Sequence, residues 1–366
     1  MLSRRSSGLS CKRLYTSTGK GRGSQSYPFR RGPGVRAMLR TGFILLALLG
    51  LCLLAACGPK DKRVVFVSER GGDQAVYTMG SDGSEVSSVP SGGDEALAPA
   101  WSPTRDHVAL LSVDGDSSRL HILTQDGEEW DSCTIDEEQV LHFSWDPKGE
   151  RVAFLAGTVD EADIFFTDVD CANVGRLTYS SAPMTLGNWS EDGQWVVYSI
   201  TGGSDQGVFL RNPTGVDRKR VDDKTTGHLS FAPKGDALAF TTLEEDDRNA
   251  RIWLVEDVHQ PAPVSITNQA APGSTFAWSP DGKRIVYVSD RDGDPEIYVM
   301  KANGSDQQQL TRNEIADTLP SWSSNGKRII FVSDLHGNTE IFTMKDDGTD
   351  QQRLTNNDYS DTQPRW

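Results

Sequence analysis

The chain has few cysteines, an uneven supply of acidic residues and no long apolar segment, and each shortage limits what it can be. Its 366 residues contain five cysteines. Cys11, Cys52 and Cys57 lie near the start and only Cys133 and Cys171 lie farther on, so no disulfide framework builds the fold. No aspartate or glutamate occurs before position 61, whereas ten of the 37 lysines and arginines fall within the first 40 residues. From Cys57 onward, 27 basic side chains face 52 acidic ones, a net of −25. Such a surface repels phosphate backbones and anionic headgroups, which argues against nucleic acid or direct membrane-surface binding and favours basic partners or divalent cations. The uncharged apolar run at residues 42 to 56 is shorter than the roughly 20 residues of a membrane-spanning helix. No Gly-x-Ser-x-Gly nucleophile elbow occurs. The six histidines are dispersed, with no His-x-x-x-His pair to gather a metal locally.

The apolar run, preceded by Met38-Leu39-Arg40, is arranged as a signal peptide. Leu54-Ala55-Ala56-Cys57-Gly58 resembles the bacterial lipobox. The resemblance implies that Cys57 carries the lipid and begins the mature protein, which is then exported and lipid-anchored to the cell envelope, on its periplasmic face or at the cell surface. Residues 1–37, rich in Arg, Ser and Gly, cannot bury a core. The expected organisation is a disordered extension or one that precedes a true start at Met38 (1–37), a lipoprotein signal peptide (38–56), a lipidated tether (57–62) and a folded region (63–366).

That folded region is a repeat. Trp-Ser-Pro-Asp-Gly-Lys-Arg-Ile at Trp278 recurs as Trp-Ser-Ser-Asn-Gly-Lys-Arg-Ile at Trp322, with weaker copies at Trp101, Trp145, Trp189 and Phe231 and a last tryptophan at Trp366. Successive anchors are 44, 44, 42, 47, 44 and 44 residues apart, the period of four-stranded propeller blades. Each unit reads as a strand ending on the anchor, an Asp-Gly or Asn-Gly turn, a β-branched strand such as Ile285–Ser289, an Asp/Gly loop, a third strand, a second turn and an outer strand. Seven second strands begin at Val64, Val108, Val152, Val196, Leu238, Ile285 and Ile329. Val64 has no anchor before it and Trp366 no second strand after it. The pattern therefore predicts an all-β, seven-bladed propeller of four-stranded antiparallel blades, closed by pairing of residues 361–366 with the strand at Val64. A six-bladed ring is the alternative.

These motifs resemble the TolB-type propeller repeats over essentially residues 63 to 366. Two departures, seven blades where six are usual and no separate amino-terminal domain, weigh against a Tol-system role. Similar repeats form the propeller of prolyl-oligopeptidase-like peptidases, whose triad is not apparent here. The leading expectation is thus a monomeric, non-catalytic binding or scaffold module, not an enzyme and without a cofactor, with a protein or glycan partner in the envelope. The alternative is a carbohydrate-active enzyme, a polysaccharide lyase or hydrolase, or a glycan-binding propeller working at the channel mouth, with His142 or His228 beside carboxylates.

Several residues are candidates for binding. Glu95, Asp317 and Asp361 enter the innermost strands and should ring one channel mouth, attracting a cation or a basic segment. His142 and His228 stand just before the anchors Trp145 and Phe231. Asp290, Asp292 and Asp294, with Glu296, place carboxylates at alternate positions, a hard donor set for Ca²⁺; Asx-type turns explain the same pattern. Trp130, Trp195 and Trp253 lie outside the anchor series, as exposed contacts or core. By repeat position Cys133 and Cys171 sit at opposite ends of neighbouring blades, so two free thiols are expected.

Overall fold

A computed structural model describes residues 63–91, 95–126, 129–135, 139–224, 226–242, 250–268, 275–334 and 337–366, the backbone alone for 125–126 and 129–135. All of them belong to one compact unit, Pro59–Trp366. Cys57 and the signal segment therefore lie outside the described residues.

Seven four-stranded antiparallel sheets make up that unit. Blade 1 runs from Glu95 to Ile135, blade 2 from Val140 to Arg176, blade 3 from Met184 to Asp222 and blade 4 from Thr226 to Ser265. Blade 5 runs from Phe276 to Gln309 and blade 6 from Asp317 to Arg353. Blade 7 joins the two ends: Asp361–Arg365 is its innermost strand, followed outward by Arg63–Ser68, Ala75–Gly80 and Ser87–Ser88. Val65 pairs with Arg365 and Ser68 with Asp361. The seven-bladed closure expected from the offset anchors is what forms, and it hides the sheet edges that an open array would expose.

Period-two strands become blades here because both faces are covered. In the second strand of blade 5, Ile285 and Tyr287 pack toward blade 4 while Val286 and Val288 pack toward blade 6. Anchors lock the seams. The indole N–H groups of Trp145, Trp189, Trp278 and Trp322 donate to the carbonyls of Ala100, Ser144, Ser230 and Ala277 in the preceding blade, at 3.1 to 3.2 Å. Each buries a large ring and also satisfies its polar handle. Trp195 and Trp253 pack on the blade 3–4 cluster as partly buried core; the side chain of Trp130 is outside the described residues.

The free-thiol expectation is corrected, because Cys171 is disulfide-bonded. Repeat position alone hid the reason. In the later seams the turn after the third strand presses on the outer strand of the preceding blade: a side chain at Gly348 would meet the Leu310 carbonyl oxygen at 2.9 Å, and one at Gly304 would meet that of Ile266 at 2.5 Å. Cys171 holds the turn position in blade 2, and Cys133 the outer-strand position in blade 1. Ends that are opposite within one blade thus touch across a seam. Cys171 also shares a hydrophobic cluster with Ile122, whose pairing partner is Cys133.

Candidate functional site

The innermost strands aim particular residues at the axis. A residue in positive φ stands three places before the anchor at Ala98, Leu319 and Gln363, between 50° and 52°. Register shifts fall at the same place in blades 1, 6 and 7. Such bulges re-aim side chains. The residue immediately before the anchor faces the channel in five successive blades: Asn188, Ser230, Ala277, Ser321 and Arg365 line one cavity of about 340 Å³ together with His228.

Arg365 is the one charged group among the described lining residues. It is accessible from the channel and one of its N–H groups donates to the Pro364 carbonyl at 3.1 Å. His142 and His228 interact electrostatically with it, and His228 also with His142. Burial in the channel wall, then the neighbouring His142 and Arg365, lower the His228 imidazole to about 4. Burial, then Arg365, lower His142 as well. Both rings are therefore neutral at pH 7, beside a fixed guanidinium. The His228 ring also meets Phe276 edge-on at 4.6 Å. Asn188 is occupied across a seam, accepting from the Phe231 N–H at 2.6 Å and donating to its carbonyl at 3.2 Å.

The two histidines thus stand with Arg365, and no described carboxylate lines the cavity. Asp361 and Asp317 are buried in seams. Asp361 accepts from Arg70 and Asn357, and Asp317 from Asn313. Glu95 is exposed. Asp292 is exposed and accepts from the Tyr298 hydroxyl. Among the described residues Asp236, Asp257 and His259 hold ligand atoms within 4.8 Å of one another. That group is on the outer surface, where Lys219 Nζ lies 3.2 Å from His259 Nδ1.

Sequence reading missed Arg365. The signal was present: among the seven residues that precede an anchor, it alone is charged.

The repeat, the ring and its closure have their counterpart in a known family, since the TolB beta-propeller domain model matches residues 55–252 and 228–366. The chain belongs to the TolB beta-propeller domain family. One curated relative is the "uncharacterized peptidase YuxL" of Bacillus subtilis (strain 168), 30% identical over 86 residues, which are 22% of this chain and 13% of that protein. Among solved structures, an oligogalacturonate lyase from Vibrio parahaemolyticus is similar with a TM-score of 0.61 at 15% identity, covering 77% of this chain and 86% of that one. A prolyl endopeptidase is similar with a TM-score of 0.61 at 14% identity, covering 83% of this chain and 49% of that one. These relatives overturn the expectation of a non-catalytic scaffold that is not an enzyme. Propellers of this build belong to peptidases and to a lyase, and the channel of this TolB-type propeller holds an Arg and two neutral imidazoles.

Proposed function

We propose that the propeller is the working body of a channel-centred enzyme acting on an acidic polysaccharide, with uronate elimination as the reaction. The observation that carries this reading is that Arg365 and His228 line one cavity, with His142 electrostatically coupled to both, and that no carboxylate is among the described lining residues. A guanidinium left without an acid in a confined site is complementary to a substrate that brings its own. Binding the uronate carboxylate to Arg365 disperses the charge that builds up there as the adjacent C5–H bond breaks. A neutral imidazole takes that proton, the C4–O bond to the next sugar breaks with its electron pair on the departing oxygen, which takes a proton from water, and a C4–C5 double bond forms. The lowered His pKa values keep the rings in the unprotonated form that a general base requires.

An oligogalacturonate lyase of similar fold, with a TM-score of 0.60, was solved in complex with manganese. The described channel residues here do not fit such an ion: two imidazoles with a guanidinium beside them offer too few donors, and the fixed positive charge opposes a dication. No step is routed through a metal.

The match to a peptidase-named protein supports a second reading, in which the same cation receives the carboxylate of a peptide for a hydrolase. One assay separates the two. The full chain is incubated with polygalacturonate, other uronate polymers and a peptide mixture. Ultraviolet absorbance of an unsaturated uronate supports the proposal; peptide cleavage alone, or binding without turnover, contradicts it.

For location, we propose export and lipid anchoring through Cys57 in the envelope, on the strength of the lipobox. Membership of the TolB-type family and the disulfide at Cys171, a bond of oxidising compartments, support it. Metabolic labelling with a fatty-acid analogue tests it, with label lost on Cys57→Ala.

A further inference from the structure

Among the described residues, the carboxylates at the seam between blades 5 and 6 make no ion pair, and the next seam shows how the fold otherwise neutralises them. There Glu340 accepts from Arg353 at 2.7 Å, from the Asn357 backbone N–H at 3.0 Å and from the Asn338 amide at 3.2 Å. Asp361 accepts from Arg70 at 3.2 Å and from the Asn357 amide at 2.7 Å. Two carboxylates meet two guanidiniums.

Forty-four residues earlier the same frame recurs. The Asn313 N–H donates to Glu296 at 2.6 Å, its amide to Asp317 at 2.9 Å, and the Thr311 hydroxyl to Glu296. The hydroxyl donors Thr311 and Ser333 remain, but the charged and amide donors around them have been replaced. Gln309 stands at the position of Arg353, and Asp294 at that of Asn338. In sequence Leu335, two residues after Ser333, corresponds to Arg70, two residues after Ser68, and lies outside the described residues. A neutral seam has become one with three carboxylates.

Oxygens left without donors mark the spot. Asp317 is 1% exposed and Glu296 2%. Asp317 Oδ1, Asp294 Oδ2 and Asp290 Oδ1 are buried atoms with no hydrogen-bond partner, and in the next seam Glu340 Oε2 is the one such carboxylate oxygen among the described residues. Burial holds the Asp317 and Glu296 carboxyls above the usual range, and Asp317 and Asp294 push Glu296 the same way. Leaving such groups unmatched is costly.

We propose that Asp294, Glu296 and Asp317 form a binding site for a hard divalent cation of the calcium type that ties blade 5 to blade 6. An all-oxygen, carboxylate-rich set suits that ion. The cation supplies the positive charge that Arg353 and Arg70 supply one seam further on. These oxygens are not drawn to within 4.8 Å of one another as those of Asp236, Asp257 and His259 are. Binding therefore pulls Asp294 inward on its turn, which follows the exposed Gly293 at φ 123°. The inference is independent of the channel chemistry.

The test is calorimetric titration of the full chain with CaCl₂, paired with thermal unfolding at several calcium concentrations. The expected result is saturable one-site uptake and an unfolding midpoint that rises with calcium. Gln309→Arg, which copies the neutralised seam, should abolish both. Asp294→Asn, which copies Asn338, should weaken uptake at least tenfold and covers the case in which Gln309→Arg fails to fold. Absence of saturable uptake, unchanged uptake in both variants, or uptake lost instead in Asp257→Asn overturns the proposal.

Discussion

The guanidinium of Arg70 reaches both carboxylate oxygens of Asp361 at 3.2 Å, joining residues 291 positions apart in the chain. Asp361 is fully buried, and Arg70 Nε also donates to Ser68 at 2.9 Å. The pair fastens the last strand to the first inside blade 7. Arg70→Met strips a buried carboxylate of its counter-charge and should destabilise by about 3 kcal/mol. Asp361→Asn in the same background should recover part of that. Urea unfolding of the single and double variants measures both.

Trp322 tests the anchors. Its ring is buried and its indole N–H meets the Ala277 carbonyl at 3.1 Å. Trp322→Phe keeps most of the ring and removes the donor, at an expected cost of about 1–2 kcal/mol. Trp322→Ala also opens a cavity and should cost about 3–5 kcal/mol. Denaturant midpoints that fail to separate the two variants would argue that the hydrogen bond carries nothing.

Acid should loosen the channel. The His228 imidazole titrates near 4 in the folded chain against 6.5 for an unperturbed one, so the unfolded chain takes up the proton first. Its contribution is complete above pH 6.5 and is lost as pH falls toward about 4. His228→Gln should flatten that part of the stability profile. Thermal midpoints from pH 7 to pH 4.5, compared between native and variant chains, separate this residue from the carboxylates that titrate nearby.

Cys171 is disulfide-bonded, and the contact that the repeat makes between a turn and the preceding outer strand points to Cys133 as its partner. Peptide mapping without reduction should return the linked pair Cys133 and Cys171. Cys171→Ser should lower stability by about 2–4 kcal/mol. Two alkylatable thiols in the native protein would contradict this.

Blade number and closure were legible in the sequence because they rest on local signals. Anchors recur at a fixed period, and the offset between Val64 and Trp366 requires the ends to meet. Contacts across seams were less legible, since a repeat aligned with itself shows where residues lie along a blade but not which ends adjoin. Cys171 was misread for that reason. Asp317 and Asp361 were placed at a channel mouth for a similar one: Arg70 and Asn313 turn them into the seams. The site was half visible. His142 and His228 were singled out, but Arg365 was overlooked beside Trp366, although its position before an anchor repeats in all seven blades.

The most direct test of the channel reading is turnover of an acidic oligosaccharide by the native chain and by Arg365→Ala, followed by ultraviolet absorbance, with a neutral oligosaccharide as control. The account expects an unsaturated uronate product with the native chain, a loss of about 100-fold or more in the variant at unchanged thermal midpoint, and nothing from the neutral sugar. Equal rates for native and variant, or no product from any uronate polymer, would contradict it.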